Sequence, residues 1–139
     1  MNEYLAGKRV LIVDDNPILA FEMIDLVNDV GGQPIGPAHS LSAALQIARL
    51  DALDGALLDI DLNGEQVWPL ANELMDQAVP FVFVSARCTE RNFPERFKNQ
   101  YCLQKPAVGS DILAGLTAAM ERPMASPTMA VRPVSIDGK

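Results

Sequence analysis

The chain has 139 residues, enough for one compact domain, and 49% of them are hydrophobic against 21% charged, so a core can form without metal or disulfide staples. A formal net charge of −7, with no local run of Lys and Arg, argues against a surface for nucleic acid. The chain also lacks the ~18 consecutive apolar residues of a membrane span and the apolar leader of a signal peptide, so the expected location is the cytoplasm, with no membrane partner.

Arg9–Val13 (RVLIV) is apolar and rich in β-branched residues, as a strand covered on both faces should be. Asp14-Asp15-Asn16-Pro17 follows, with Asn16 a natural N-cap and Pro17 tolerated at the first helical position. Leu19, Met23, Leu26, Val27 and Val30 recur at helical spacing until Gly31-Gly32 ends the helix. Gln33–Ala38 is a strand weakened by Pro34 and Pro37, and Ser40 or Ser42 caps a second helix carrying Leu41, Ala44, Leu45 and Ala48. Ala56–Leu58 forms the apolar centre of a third strand that runs into Asp59. A third helix carries Val67, Leu70, Ala71, Leu74 and Met75, with Pro69 restricted to its first turn.

Pro80 opens the fourth strand, FVFVSA, after which Pro94 cuts short any helix within residues 87–98. Tyr101–Gln104 is the fifth strand and ends at Lys105-Pro106. Ser110 or Asp111 starts a last helix with Ile112, Leu113, Leu116, Ala119 and Met120. The domain is therefore expected over residues 1–122, with a disordered Pro-containing tail over 123–139 and no visible output domain. Cys88 and Cys102 have no metal-ligand spacing with each other or with His39; a disulfide between them is geometrically conceivable, but two reduced, partly buried thiols are expected.

Five strands alternating with helices imply a parallel sheet covered on both faces, whose working groups lie at the carboxyl ends of the strands. That rule gathers Asp14 and Asp15 (strand one), Asp59 (strand three), Ser85 (strand four) and Lys105 (strand five) on one rim. Three crowded carboxylates repel one another unless a cation sits among them, and Mg²⁺, a hard ion with oxygen ligands, suits them. Phosphoryl transfer needs mainly positioning and charge stabilisation. Asp59, the single carboxylate leaving the central strand, is the candidate nucleophile, Lys105 a fixed positive charge, and Ser85 a hydroxyl donor to a phosphoryl oxygen.

The acidic pair Asp14-Asp15, Asp59 within LLDIDLNG, Ser85 after FVFV, and Lys105-Pro106 resemble the receiver domain of two-component response regulators over about residues 7–121. The resemblance implies a flavodoxin-like (βα)5 doubly wound sheet of strand order 2-1-3-4-5 and a single-domain, stand-alone type of regulator. It implies Asp59 as phosphoacceptor, with Asp14, Asp15, Asp59 and the backbone carbonyl of Asp61 around Mg²⁺, and with Ser85 and Lys105 holding the phosphoryl oxygens. It further implies a sensor histidine kinase or histidine phosphotransfer protein as donor, and an output by protein–protein contact or as a phosphate shuttle or sink. Such a protein is not an enzyme beyond its own phosphorylation and dephosphorylation.

Two positions depart from that pattern. Receivers commonly carry an aromatic switch residue three positions before the Lys, where this chain has Cys102. Strand alternation turns Tyr101 to the opposite face unless a bulge or shifted register brings it round. Pro94 makes the fourth helix, part of the usual output face, short or irregular. Arg87 and Asp61 flank the mouth of the site, where their pairing is worth ~0–1 kcal/mol. His39 reads as a loop histidine and Trp68 as a packed or half-exposed helix residue.

Other classes remain to be weighed. Asp59-Ile60-Asp61 also resembles the Asp-x-Asp motif of haloacid-dehalogenase-type phosphatases, but those place it after their first strand and need a larger chain with a cap. A phosphorylation-independent interaction module on the same fold would not require all five site residues. A flavin-binding protein would need a phosphate-cradling loop where Asp14-Asp15 stands.

Overall fold

The computed structural model describes residues 5–89 and 93–121. In chain order the main elements are β1 (Arg9–Val13), α1 (Pro17–Asp29), β2 (Gln33–Ala38), α2 (Leu41–Leu50), β3 (Gly55–Leu58), α3 (Trp68–Asp76), β4 (Phe81–Ser85), β5 (Cys102–Gln104) and α4 (Gly109–Glu121). The five strands form one parallel sheet in the order β2-β1-β3-β4-β5, as expected. Residues 123–139, where a tail was expected, lie outside the described residues.

Alternation along the strands explains the unbroken apolar runs. Leu11, Val13, Leu58, Phe81 and Phe83 face α2 and α3 on one side of the sheet. Val10, Ile12, Leu57, Val82 and Val84 face α1 and α4 on the other. Both faces are covered, so every position of β1, β3 and β4 except Arg9 is buried.

The helix ends follow their local chemistry. The Asn16 side chain accepts hydrogen bonds from the backbone N–H groups of Ile18 and Leu19, at 2.9 and 3.3 Å. Pro17 opens α1, and Gly31, at φ 85°, lies just beyond its C-cap residue, Val30. Asn16→Ala removes that cap and is expected to cost about 1 kcal/mol, read as a lower urea midpoint at unchanged slope. Of the two candidate serines, Ser40 is the one that caps α2, its Oγ accepting from Ala43 N at 3.2 Å. Pro69 sits in the first turn of α3.

Three features differ from the sequence reading. Of the five helices of a (βα)5 chain, the fourth, between β4 and β5, is absent among the described residues. Among the described residues a 3-10 turn, Glu95–Phe97, stands in its place, because Pro94 holds an extended conformation in front of it. A small antiparallel hairpin, Asp61–Leu62 with Glu65–Gln66, follows β3 and was not expected. Cys88 and Cys102, read as free thiols, are joined in a disulfide with their Cα atoms 5.6 Å apart. The cause is register. Ser85 lies opposite Gln104 in the sheet, and the chain turns after Ser85, bringing residue 88 back beside β5.

Candidate functional site

The expected rim assembles. Asp14 extends β1 by donating its N–H to Ala38 O, and Asp59 extends β3 by donating its N–H to Val13 O. The sheet backbone thus fixes both carboxylates side by side. Asp14 is 0% exposed, Asp59 7% and Ser85 0%. Carboxylate oxygens of Asp14, Asp15 and Asp59 all lie within 4.8 Å of one another.

Lys105 reaches this cluster from the end of β5, whose position is set by its N–H donating to Ser85 O at 2.9 Å. Its Nζ donates to Asp14 Oδ2 at 2.8 Å and to Asp59 Oδ2 at 3.1 Å. Three of the four remaining oxygens are met by backbone donors. Asn16 N–H donates to Asp14 Oδ1 (2.9 Å), Ile60 N–H to Asp59 Oδ1 (2.8 Å) and Asn63 N–H to Asp15 Oδ2 (2.9 Å). The Ser85 hydroxyl stands beside Asp59, whose pKa it acts to lower, and it accepts from Arg87 N–H at 3.1 Å.

Burial pushes the Asp59 carboxyl above its ordinary value; Lys105 opposes that shift, while the negative charge of Asp14 adds to it. Burial alone would lower Lys105, but its bonds to Asp14 and Asp59, with their charges, outweigh it and raise its pKa. The site therefore holds its cation more firmly than it holds charge on its central carboxylate.

Asp61 stands apart. Its Oδ1 accepts from Gly64 N–H at 3.1 Å and its Oδ2 lies 4.0 Å from Arg87 Nη2, so its carboxylate is engaged outside the cluster. Both side chains are more than a third exposed, which keeps that pairing weak. His39 Nδ1 lies 2.9 Å from Asp14 O, the hydrogen bond of a structural loop histidine. Trp68 packs at 5.7 Å from Phe83, 5.2 Å from Phe93 and 5.7 Å from Phe97. Tyr101 lies just before β5 and is exposed.

Sequence reasoning missed Asn63 as a site residue. The signal was present in Asn63-Gly64, a dipeptide suited to a tight hairpin, whose residues adopt φ of 55° and 91°. The hairpin they close turns Asn63 N–H onto Asp15. A cavity of about 400 Å³ opens beside Asp14 and Lys105, lined mainly by apolar side chains including Leu19, Met23, Val84 and Ile112.

No family model matches the chain. The phyllosphere-induced regulator PhyR of Methylorubrum extorquens is 28% identical over 121 residues, covering 81% of this chain and 43% of that protein. The chain thus spans less than half the length of that regulator. Among solved structures, SdrG from Sphingomonas melonis is 30% identical, with a TM-score of 0.69 over 84% of this chain and 97% of SdrG. The PhyR response regulator REC domain of Erythrobacter litoralis gives a TM-score of 0.72 at 23% identity, covering 87% of this chain and 98% of that one. The receiver domain of the sensor histidine kinase PA1611 from Pseudomonas aeruginosa, which holds a magnesium ion in its active-site cleft, gives 0.70 at 18% identity over 83% of this chain and 98% of its own. With the strand order, the aspartate cluster and the bridging lysine in place, the chain belongs to the response regulator receiver domains of two-component signalling.

Proposed function

We propose that this receiver accepts a phosphoryl group on Asp59 from a phosphohistidine of a sensor histidine kinase or phosphotransfer protein. The reading rests above all on one observation: Lys105 Nζ bridges Asp14 and Asp59 inside a cluster of three carboxylates at strand ends. In the transfer an Asp59 oxygen attacks phosphorus, the O–P bond forms as the P–N bond breaks, and the imidazole of the donor leaves with the bonding pair. Lys105 and the Ser85 hydroxyl hold phosphoryl oxygens, and Lys105 offsets charge gathering between the groups. Leu19, Met23 and Ile112 offer the donor an apolar seat beside the acceptor.

The donor set fits a divalent ion. Three carboxylates against one ammonium leave two negative charges in a half-closed, all-oxygen cluster, the chemistry that Mg²⁺ prefers. Asp14, Asp15, Asp59 and the backbone carbonyl of Asp61 are the groups that would hold it, and the ion coordinated in the PA1611 receiver is in keeping with that choice. When bound, it supplies positive charge against which the anionic donor can approach a carboxylate. The phosphorylated form then signals by contact with a downstream protein or passes the group on.

The test is intact-protein mass after incubation with acetyl phosphate, with and without Mg²⁺, beside Asp59→Asn. A metal-dependent gain of one phosphoryl group, absent from the variant, is expected. Equal gain in Asp59→Asn would move the acceptor elsewhere, and no gain from either acetyl phosphate or a phosphohistidine donor would overturn the reading.

A further inference from the structure

The disulfide lies beside the two groups assigned to the phosphoryl oxygens. Cys88 is three residues after Ser85, and Cys102 is three residues before Lys105. The bond therefore ties the segment leaving Ser85 to the strand that carries Lys105. The same segment has two further ties to β5, both through Gln104. Cys88 N–H donates to Gln104 Oε1 at 3.2 Å, and Gln104 Nε2 donates to Ala86 O at 2.8 Å. Both are exposed, neutral hydrogen bonds, which contribute little once water competes for them. The covalent link is the tie that does not exchange with solvent.

Ser85 depends on this segment. Its side chain has no exposure, its Oγ accepts from Arg87 N–H, and its carbonyl oxygen lies 3.6 Å from Cys88 Sγ. Ser85 Oγ can accept from Arg87 N–H and donate to an oxygen on Asp59 at the same time, so a hydroxyl that shifts toward a phosphoryl group on Asp59 draws Arg87 N–H, and with it Ala86–Cys88, after it. Both cysteines are only half-buried, so one sulfur can be approached by a thiolate from outside. Cys102 also lies opposite Phe83 in the sheet, and Phe83 lies 5.7 Å from Trp68, so loosening at Cys102 meets the aromatic cluster under α3.

We infer that the Cys88–Cys102 disulfide is a redox-operated latch that holds Ala86–Cys88 against β5 and that a dithiol reductant opens. The inference rests on Asp59 as acceptor only for its consequence. With the latch closed, a phosphoryl group on Asp59 leaves the segment in place; with it open, the segment follows Ser85. The step is an exchange of two electrons and two protons. One thiolate of the dithiol attacks a protein sulfur, the second protein sulfur leaves as a thiolate, and the dithiol's other thiol resolves the mixed disulfide. The protein ends as two thiols and the reductant as a disulfide, and the oxidised form of the same dithiol class reverses the reaction.

The experiment uses the whole chain in both redox states and a Cys88→Ser/Cys102→Ser variant. Thiols are counted by alkylation and mass, and amide hydrogen exchange is followed at residues 86–89. Reduction is expected to expose two alkylatable thiols and to speed exchange at 86–88 by about tenfold or more. Acetyl phosphate with Mg²⁺ is expected to change those amides in the reduced protein and in the double variant, and not in the oxidised protein. A disulfide that neither forms with an oxidised dithiol nor opens with a reduced one overturns the inference. So does equal exchange in the two states, or an equal response to the phosphodonor. If neither state gains a phosphoryl group from acetyl phosphate or from a phosphohistidine donor, the acceptor reading fails, and the exchange comparison of the two redox states by itself upholds or overturns the latch.

Discussion

Replacing Lys105 with Ala is expected to destabilise the metal-free protein by about 3 kcal/mol, the scale for stripping a buried carboxylate of its cation. Asp14 is fully buried and its Oδ2 has Lys105 Nζ as its partner at 2.8 Å; without it, Asp14 and Asp59 face each other across a site with no positive charge. Two conditions are expected to rescue the variant. Added Mg²⁺ should return more stability to Lys105→Ala than to the wild type, because it replaces the missing charge. Acidification should narrow the gap as well. The folded-state pKa of Asp59 is raised, so its protonated form is the one the fold favours. That advantage is full below the ordinary value of 3.8 and is lost as the pH rises through the folded value. In the wild type the sign for Lys105 is the same but its window is alkaline. Its stabilising contribution is full below the ordinary 10.5 and is lost as the pH rises through its raised folded value. Urea unfolding of both proteins across this range, with and without Mg²⁺, reads all three effects. A Lys105→Ala variant as stable as the wild type at neutral pH without metal would show that the bridge carries no net stability.

The second large effect lies in the core. Phe83→Ala is expected to cost about 3–5 kcal/mol, against roughly 1 kcal/mol for Phe83→Leu. Phe83 has no exposure and stands amid Trp68, Phe81, Phe93 and Phe97, with ring centroids 5.3–6.3 Å away. Truncation removes the ring that four others pack against, and the surrounding strands of a sheet buried on both faces cannot close the gap. Because Trp68 is the single tryptophan of the chain and touches Phe83 edge-on, its fluorescence should report the loss in the folded state as well as the unfolding transition. Unchanged emission together with a small loss of stability would mean that the cluster repacks.

Most of the sheet was readable from the chain because its signals are local. RVLIV and FVFVS are buried on both faces and read as unbroken apolar runs, while Asn16, Pro17 and Ser40 mark helix starts through contacts within three residues. The site was readable for a related reason. In a parallel sheet, residues at strand ends share an edge, so Asp14, Asp59, Ser85 and Lys105 could be gathered without knowing any distance. What escaped depended on register. The Cys88–Cys102 bond follows from Ser85 lying opposite Gln104 and from the turn after Ser85, neither of which leaves a mark in composition or periodicity. Asn63 was missed for a different reason. Its role is played by the backbone N–H, so the side chain gives no hint, and only the Asn-Gly pair betrays the hairpin that aims it. The replacement of a fourth helix by one 3-10 turn was anticipated in kind from Pro94, although not in form.

The outer strands of the sheet have a consequence for the chain at high concentration. β2 forms one border, and Pro34 and Pro37 within it have no N–H to offer. Its pairing with β1 also slips by one residue where Gly36 takes φ 98°, so Leu11 meets Ile35 but Val13 meets Ala38. β5, the opposite border, is only three residues long and runs at once into Lys105-Pro106. Neither border presents the long, flat row of donors and acceptors on which a strand from another molecule could template. The fold is thereby guarded against edge-to-edge polymerisation, and copies that do associate should meet through helix faces instead.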